Sequence, residues 1–79
     1  MSEEKIIAYV LLNIALGKEH EVKEKASKLD HVTEVRIVYG EFDIVVRIEA
    51  PTFKALDRTV SSLRSMDGVL KTITLIASS

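Results

Sequence analysis

The sequence predicts an α+β fold: a ferredoxin-like βαββαβ plait, with a four-stranded antiparallel sheet carrying both helices on one face. Three observations point to it. Four runs of β-branched and apolar residues alternate with two stretches of helical periodicity. The second and third strand runs are separated only by Gly40-Glu41, so they must form an antiparallel hairpin. The resulting order is two interlocked βαβ units, which right-handed crossovers close into one plait.

The first strand is read over Lys5 to Ile14 (KIIAYVLLNI), bounded by charge before it and Leu16-Gly17 after it. From Lys18 to Leu29 the pattern changes, and Val22, Ala26 and Leu29 recur at the spacing of one helical face. The opposite face carries Glu19–Lys23, Glu21–Lys25 and Glu24–Lys28, acid before base at i,i+4, the better orientation on a solvated helix. Val32 to Tyr39 is the second strand, with Val35, Ile37 and Tyr39 on one side and Glu34 and Arg36 on the other. The third strand runs from Phe42 to Ala50. Pro51 then stops strand pairing and suits a helix entry, with Thr52 as cap. Phe53, Leu56, Val60 and Leu63 follow at helical spacing, and Asp67-Gly68 ends that helix. Val69 to Ala77 is the fourth strand. Asp30-x-Val32 recurs as Asp67-x-Val69, a faint echo between the two halves.

Length and composition bound the functions. Seventy-nine residues make one domain, residues 1–79. A chain this short is marginally stable without an additional staple. It has no cysteine, which removes disulfides and thiolate metal sites from consideration. Eleven basic residues against twelve acidic ones give no general field for gathering phosphates. The start, MSEEK, is polar and the apolar run after it is too short to span a bilayer, so a cytoplasmic protein is expected. Self-association is the remaining candidate for the staple.

The third strand distinguishes the two faces of the sheet. Phe42, Ile44, Val46 and Ile48 are wholly apolar and are expected under the helices. Asp43, Val45, Arg47 and Glu49 then face away from them. The first strand is expected in the centre, pairing with the third and fourth, and either of its registers leaves an apolar row on the helix-free side. On the fourth strand Leu70, Thr72, Thr74 and Ile76 are placed on one side, and Val69, Ile73 and Leu75 on the other. Leaving three or four such side chains in water forfeits roughly 1.5–3 kcal/mol each relative to burial. A two-fold homodimer packed sheet to sheet, a dimeric α+β barrel, is therefore expected. Asp43 lies at the mouth of that face. Its carboxylate suits an ammonium group, while the turn amides at Gly40 to Phe42 and the hydroxyls of Thr72 and Thr74 suit a carboxyl group.

Tyr39-Gly40-Glu41-Phe42-Asp43 between two strands, followed by Asp67-Gly68-Val69-Leu70-Lys71-Thr72-Ile73-Thr74-Leu75-Ile76, resembles the effector (RAM) domain of the Lrp/AsnC, or feast/famine, transcriptional regulators. The resemblance covers essentially the whole chain. It implies a domain that dimerises through its sheet, often assembles further into rings, and binds amino acids between subunits. It assigns Gly40, Glu41, Phe42 and Asp43 to the effector-binding turn and Thr72 and Thr74 to the last-strand threonines. The free amino acid it would take, glutamine-like or leucine-like, is left open. The helix-turn-helix that precedes the domain in the usual regulator has no counterpart in the sequence. A stand-alone effector domain is expected, one that modulates full-length regulators by mixed assembly and does not bind DNA directly.

Other functions fit less well. An RNA-binding module of this topology needs aromatics on the open face of the third strand, where the sequence has Asp43, Val45, Arg47 and Glu49. His20 and His31 lie far apart with no further ligand type spaced near them, so no metal is expected. For an enzyme, Asp43 with Tyr9 or Arg47 is the best acid–base pair available, and no serine–histidine or paired-carboxylate spacing accompanies it. A non-enzyme without cofactor is expected, with a small oxygenase- or isomerase-like barrel and a ligand-free assembly module as the alternatives.

Overall fold

The computed structural model describes residues 4–78; residues 1–3 of the polar start, and residue 79, lie outside the described residues. The elements are β1 (Ile6–Ile14), α1 (Glu19–Ser27), β2 (Val32–Ile37), β3 (Ile44–Ala50), α2 (Phe53–Arg64) and β4 (Val69–Ile76). They build one antiparallel sheet of order β2-β3-β1-β4, with β1 central as expected.

The register settles which side of each strand is which. Ala8, Val10 and Leu12 oppose Ile48, Val46 and Ile44, and all six side chains are fully buried. With Ile14, Ala50, Val22 and Ala26 from α1, and Leu56 and Leu63 from α2, they form the core between sheet and helices. The helix-facing side of β1 is therefore its even-numbered one. Val35 and Ile37 on β2 pair with Val46 and Ile44 and pack against the same core.

Local chemistry explains the helix limits. Thr52 caps α2, its hydroxyl accepting from the Ala55 amide at 3.0 Å. Such a cap satisfies one of the first-turn donors that a helix leaves unpaired. On α1, two of the three expected i,i+4 pairs close, Lys25–Glu21 at 3.1 Å and Lys28–Glu24 at 3.6 Å.

Several boundaries differ from the sequence reading. β2 stops at Ile37 and β3 starts at Ile44, so the hairpin connection spans 38–43 rather than two residues. The Val38 amide closes it by donating to the Asp43 carbonyl at 2.9 Å. Tyr39 lies in this connection, exposed, rather than on the apolar side of β2, and Phe42 precedes β3 rather than opening it. On β4, Val69 pairs with Ile14 and packs on the core instead of sharing the side of Ile73 and Leu75. The cause is a β-bulge: the register with β1 shifts between Asn13 and Ile14, leaving Leu70 as the extra, exposed residue. One inserted residue moves everything before it to the other face.

Candidate functional site

The helix-free face is divided into two halves. Across the sheet run two rows, Glu34–Arg47–Tyr9–Leu75 and Arg36–Val45–Leu11–Ile73, followed outward by Glu49 and Ile7. The β1/β4 half is mainly apolar, with Ile7, Tyr9, Leu11, Ile73 and Leu75, and carries the polar pair Asn13 and Lys71 at the end beside the turn; Leu75 is 52% exposed. The β2/β3 half is charged but internally matched. Arg47 donates to Glu49 at 2.6 Å and to the Thr33 hydroxyl at 2.8 Å, and Arg36 pairs with Glu34. The Arg47 hydrogen bond holds the Glu49 carboxyl below its ordinary range, and Glu49 in turn raises the Arg47 guanidinium. Two acids and two bases on one flat patch leave no net charge to repel a second copy of the same surface.

The turn carrying Gly40 to Asp43 is fastened to the end of β1 at three points. The Asp43 amide donates to the Leu12 carbonyl at 2.8 Å, and the Asp43 carboxylate accepts from the Ile14 amide at 2.7 Å. The Asn13 side-chain amide donates to the Glu41 carbonyl at 2.9 Å. Between these fastenings Gly40 has φ 135°, a region L-residues rarely adopt. Among the described residues the amides of Gly40, Glu41 and Phe42 meet no protein acceptor, which leaves three donors in sequence without a protein partner.

Thr72 and Thr74 stand on the far side of β1, opposite Leu12 and Val10, so their side chains are on the helix side. Ala77 donates to the Ile7 carbonyl, which by antiparallel alternation turns the backbone groups of Leu70, Thr72, Thr74 and Ile76 outward to the free edge of β4. Thr74 also lines a groove of about 340 Å³ with Phe53, Leu56, Asp57, Val60 and Ile76, which includes no residue of the turn. The six expected site residues thus form two groups rather than one pocket. Both groups neighbour Leu12, but two strand spacings, roughly 10 Å, separate their backbones. The ammonium and carboxylate of an α-amino acid sit on one carbon and cannot bridge that gap within a single chain.

Sequence reasoning missed Asn13 and Ile14, which hold the turn. Asn13 had a signal, being the one side-chain amide inside AYVLLNI. The Ile14 amide had none, because it is a backbone group.

The strand order and the two helices on one face define a small domain of the α+β class. Residues 7–79 match the family model of the Lrp/AsnC ligand-binding domain, and the chain belongs to that family. It is 32% identical over 71 residues to the HTH-type transcriptional regulator FL11 of Pyrococcus furiosus, covering 90% of this chain and 47% of FL11. The chain thus spans about half the length of the curated relatives it matches. Among solved structures, PHS023 of Pyrococcus horikoshii is similar with 39% identity and TM-score 0.86, over 92% of this chain and 89% of that one. TTHA0845 of Thermus thermophilus is similar with 31% identity and TM-score 0.88, over 94% of both chains. The curated relatives are named as HTH-type transcriptional regulators. Among the described residues, no helix is long and apolar enough to cross a membrane.

Proposed function

We propose that this domain senses a free amino acid at a contact between subunits and modulates transcriptional regulators through assembly, contributing no DNA-reading surface of its own. The observation that carries this reading is the division of the site. The turn at 40–43 offers three open amides and an anchored carboxylate, while the threonines offer outward edge groups on the far side of β1. A small zwitterion engages both sets when the turn of one chain meets the β4 edge of another, so ligand and assembly are coupled. The apolar half of the helix-free face supplies the sheet-to-sheet homodimer from which larger assemblies grow. The near balance of acidic and basic residues supports a partner other than nucleic acid.

A thermal-shift screen of the common amino acids, run beside size-exclusion at fixed protein concentration, tests the reading. A ligand of the native assembly raises Tm by mass action. The expected result is a response to one or two amino acids, accompanied by a change in assembly size and lost in Asp43→Asn. No response to any amino acid at millimolar concentration would leave a ligand-free assembly module instead.

A further inference from the structure

The two halves of the chain repeat at an interval of 37 residues. Leu29 accepts from the Val32 amide as Met66 accepts from the Val69 amide, and the Ala26–Leu29 bond has its counterpart in Leu63–Met66. Asp30-His31-Val32 therefore corresponds to Asp67-Gly68-Val69, and Lys18 and Val22 correspond to Ala55 and Thr59. The molecule thus contains two versions of one corner, where the exit of one helix meets the start of the other.

The corner at Gly68 is closed. A Cβ on Gly68 would lie 3.0 Å from the Lys18 Cβ and 3.2 Å from the Val22 Cγ2. Lys18 places its ammonium 3.3 Å from the Asp67 carboxylate. The corner at His31 is open. It holds a hollow of about 190 Å³ lined by Leu29, Asp30, His31, Ala55, Arg58, Thr59 and Ser62. Where the closed corner has the lysine, this one has Ala55, and among the described residues neither Asp30 nor Arg58 joins an ion pair. Thr59, only 4% exposed, fixes the turn by donating to the Asp30 carbonyl at 3.0 Å. His31 keeps a side chain although its φ is 72°, where the corresponding residue is glycine. Strain held in a non-glycine residue that lines a hollow is the kind associated with a site.

We propose that this open corner binds a small zwitterion, its ammonium taking the place of the missing lysine on Asp30 and its anionic group meeting Arg58 and His31. The hollow is smaller than the roughly 300–1,000 Å³ of a drug-sized pocket, which sets the ligand at amino-acid size rather than nucleotide size. A lone anion faces the Asp30 carboxylate and a lone cation faces Arg58, so both are disfavoured against a molecule carrying both charges. The site shares no residue with the turn or with β4, and goes beyond the interface reading above.

The test is a set of amide proton–nitrogen correlation spectra of the 79-residue chain, titrated with glycine, L-serine, acetate, methylammonium and inorganic phosphate. Glycine or serine is expected to shift amides within 29–31 and 55–62 saturably, with acetate, phosphate and methylammonium at least about tenfold weaker. Asp30→Asn and Arg58→Gln should each weaken zwitterion binding about tenfold or more. Ala55→Lys, which rebuilds the closed corner, should abolish it while the spectrum stays folded. Any shifts at 40–43 and 72–74 should persist in Ala55→Lys and respond to Asp43→Asn, which separates the two sites. Absence of saturable shifts at 29–31 and 55–62, equal binding of acetate or phosphate, or unchanged binding in Ala55→Lys would each overturn the proposal.

Discussion

The Asp43 carboxylate accepts a hydrogen bond from the Ile14 amide, with Oδ2 and N 2.7 Å apart. The acid that the sequence marks as a ligand group is thus also a fastening of the hairpin connection to the central strand. The two roles separate by substitution. Asp43→Ala leaves the partly buried Ile14 donor without an acceptor, at a cost of about 1–3 kcal/mol. Asp43→Asn keeps an acceptor oxygen and should lose less than about 1 kcal/mol while removing the charge. Urea denaturation at fixed protein concentration measures both. A ligand response lost in Asp43→Asn at near-native stability assigns the carboxylate to the ligand; a response retained there leaves it as a fastening alone.

His31 and Gly68 hold the same station in the two halves, with φ of 72° and 97°. The left-handed region costs an L-residue roughly 1–2 kcal/mol, and glycine returns part of that through its freer unfolded chain. His31→Gly should therefore stabilise the fold by about 0.5–1 kcal/mol. Gly68→Ala combines the same backbone strain with a methyl 3.0 Å from the Lys18 Cβ, and should destabilise by about 1–3 kcal/mol. Opposite signs at equivalent stations, read from denaturation midpoints, are the expected result.

What the residues revealed of this fold follows from what periodicity can carry. The period-two run Ile44–Val46–Ile48 fixed the helix-facing side of β3, and the heptad-like Leu56 and Leu63 fixed the inner face of α2. The Asp30/Asp67 echo was visible and is a real structural repeat. The bulge at Leu70 was not, because one extra residue leaves the composition of a strand unchanged while reversing the side of Val69. The separation of Asp43 from Thr72 was hidden for a related reason: alternation gives a side but no lateral distance. The length of the 38–43 connection depends on backbone bonds at Leu12 and Ile14, which belong to no side-chain pattern.

Two ion pairs contribute to the pH response. Arg47, chiefly by hydrogen bonding, lowers the Glu49 carboxyl from its ordinary 4.5, so this pair's contribution is complete above about that pH. It is lost as pH falls through the lower folded value. Lys18 is raised from 10.5 by its hydrogen bond to Asp67, so its contribution is complete below that pH and is lost as pH rises through the higher folded value. The Lys18–Asp67 pair is exposed and the Arg47–Glu49 pair partly so, and both effects should weaken with salt. Denaturation midpoints across pH should show Arg47→Gln flattening the acid limb and Asp67→Asn flattening the alkaline limb.

Ile73 lies between Leu11 and the free edge, in the middle of the apolar half of the helix-free face. A glutamate there touches none of the core residues, which all lie on the other side of the sheet. In an isolated protomer Ile73→Glu should change stability by less than about 1 kcal/mol, as for most surface substitutions. In a sheet-to-sheet dimer the two-fold axis brings each new carboxylate into an apolar seam, where an unpaired charge costs several kcal/mol. The expected outcome is a shift from dimer or larger assembly to monomer in light scattering, with secondary structure retained by circular dichroism. The charged half offers the control: Arg36→Glu should weaken association less than Ile73→Glu, because Arg36 is already a charged, largely exposed side chain in the polar half of the face. If Ile73→Glu leaves the assembly size unchanged, the helix-free face is not the seam.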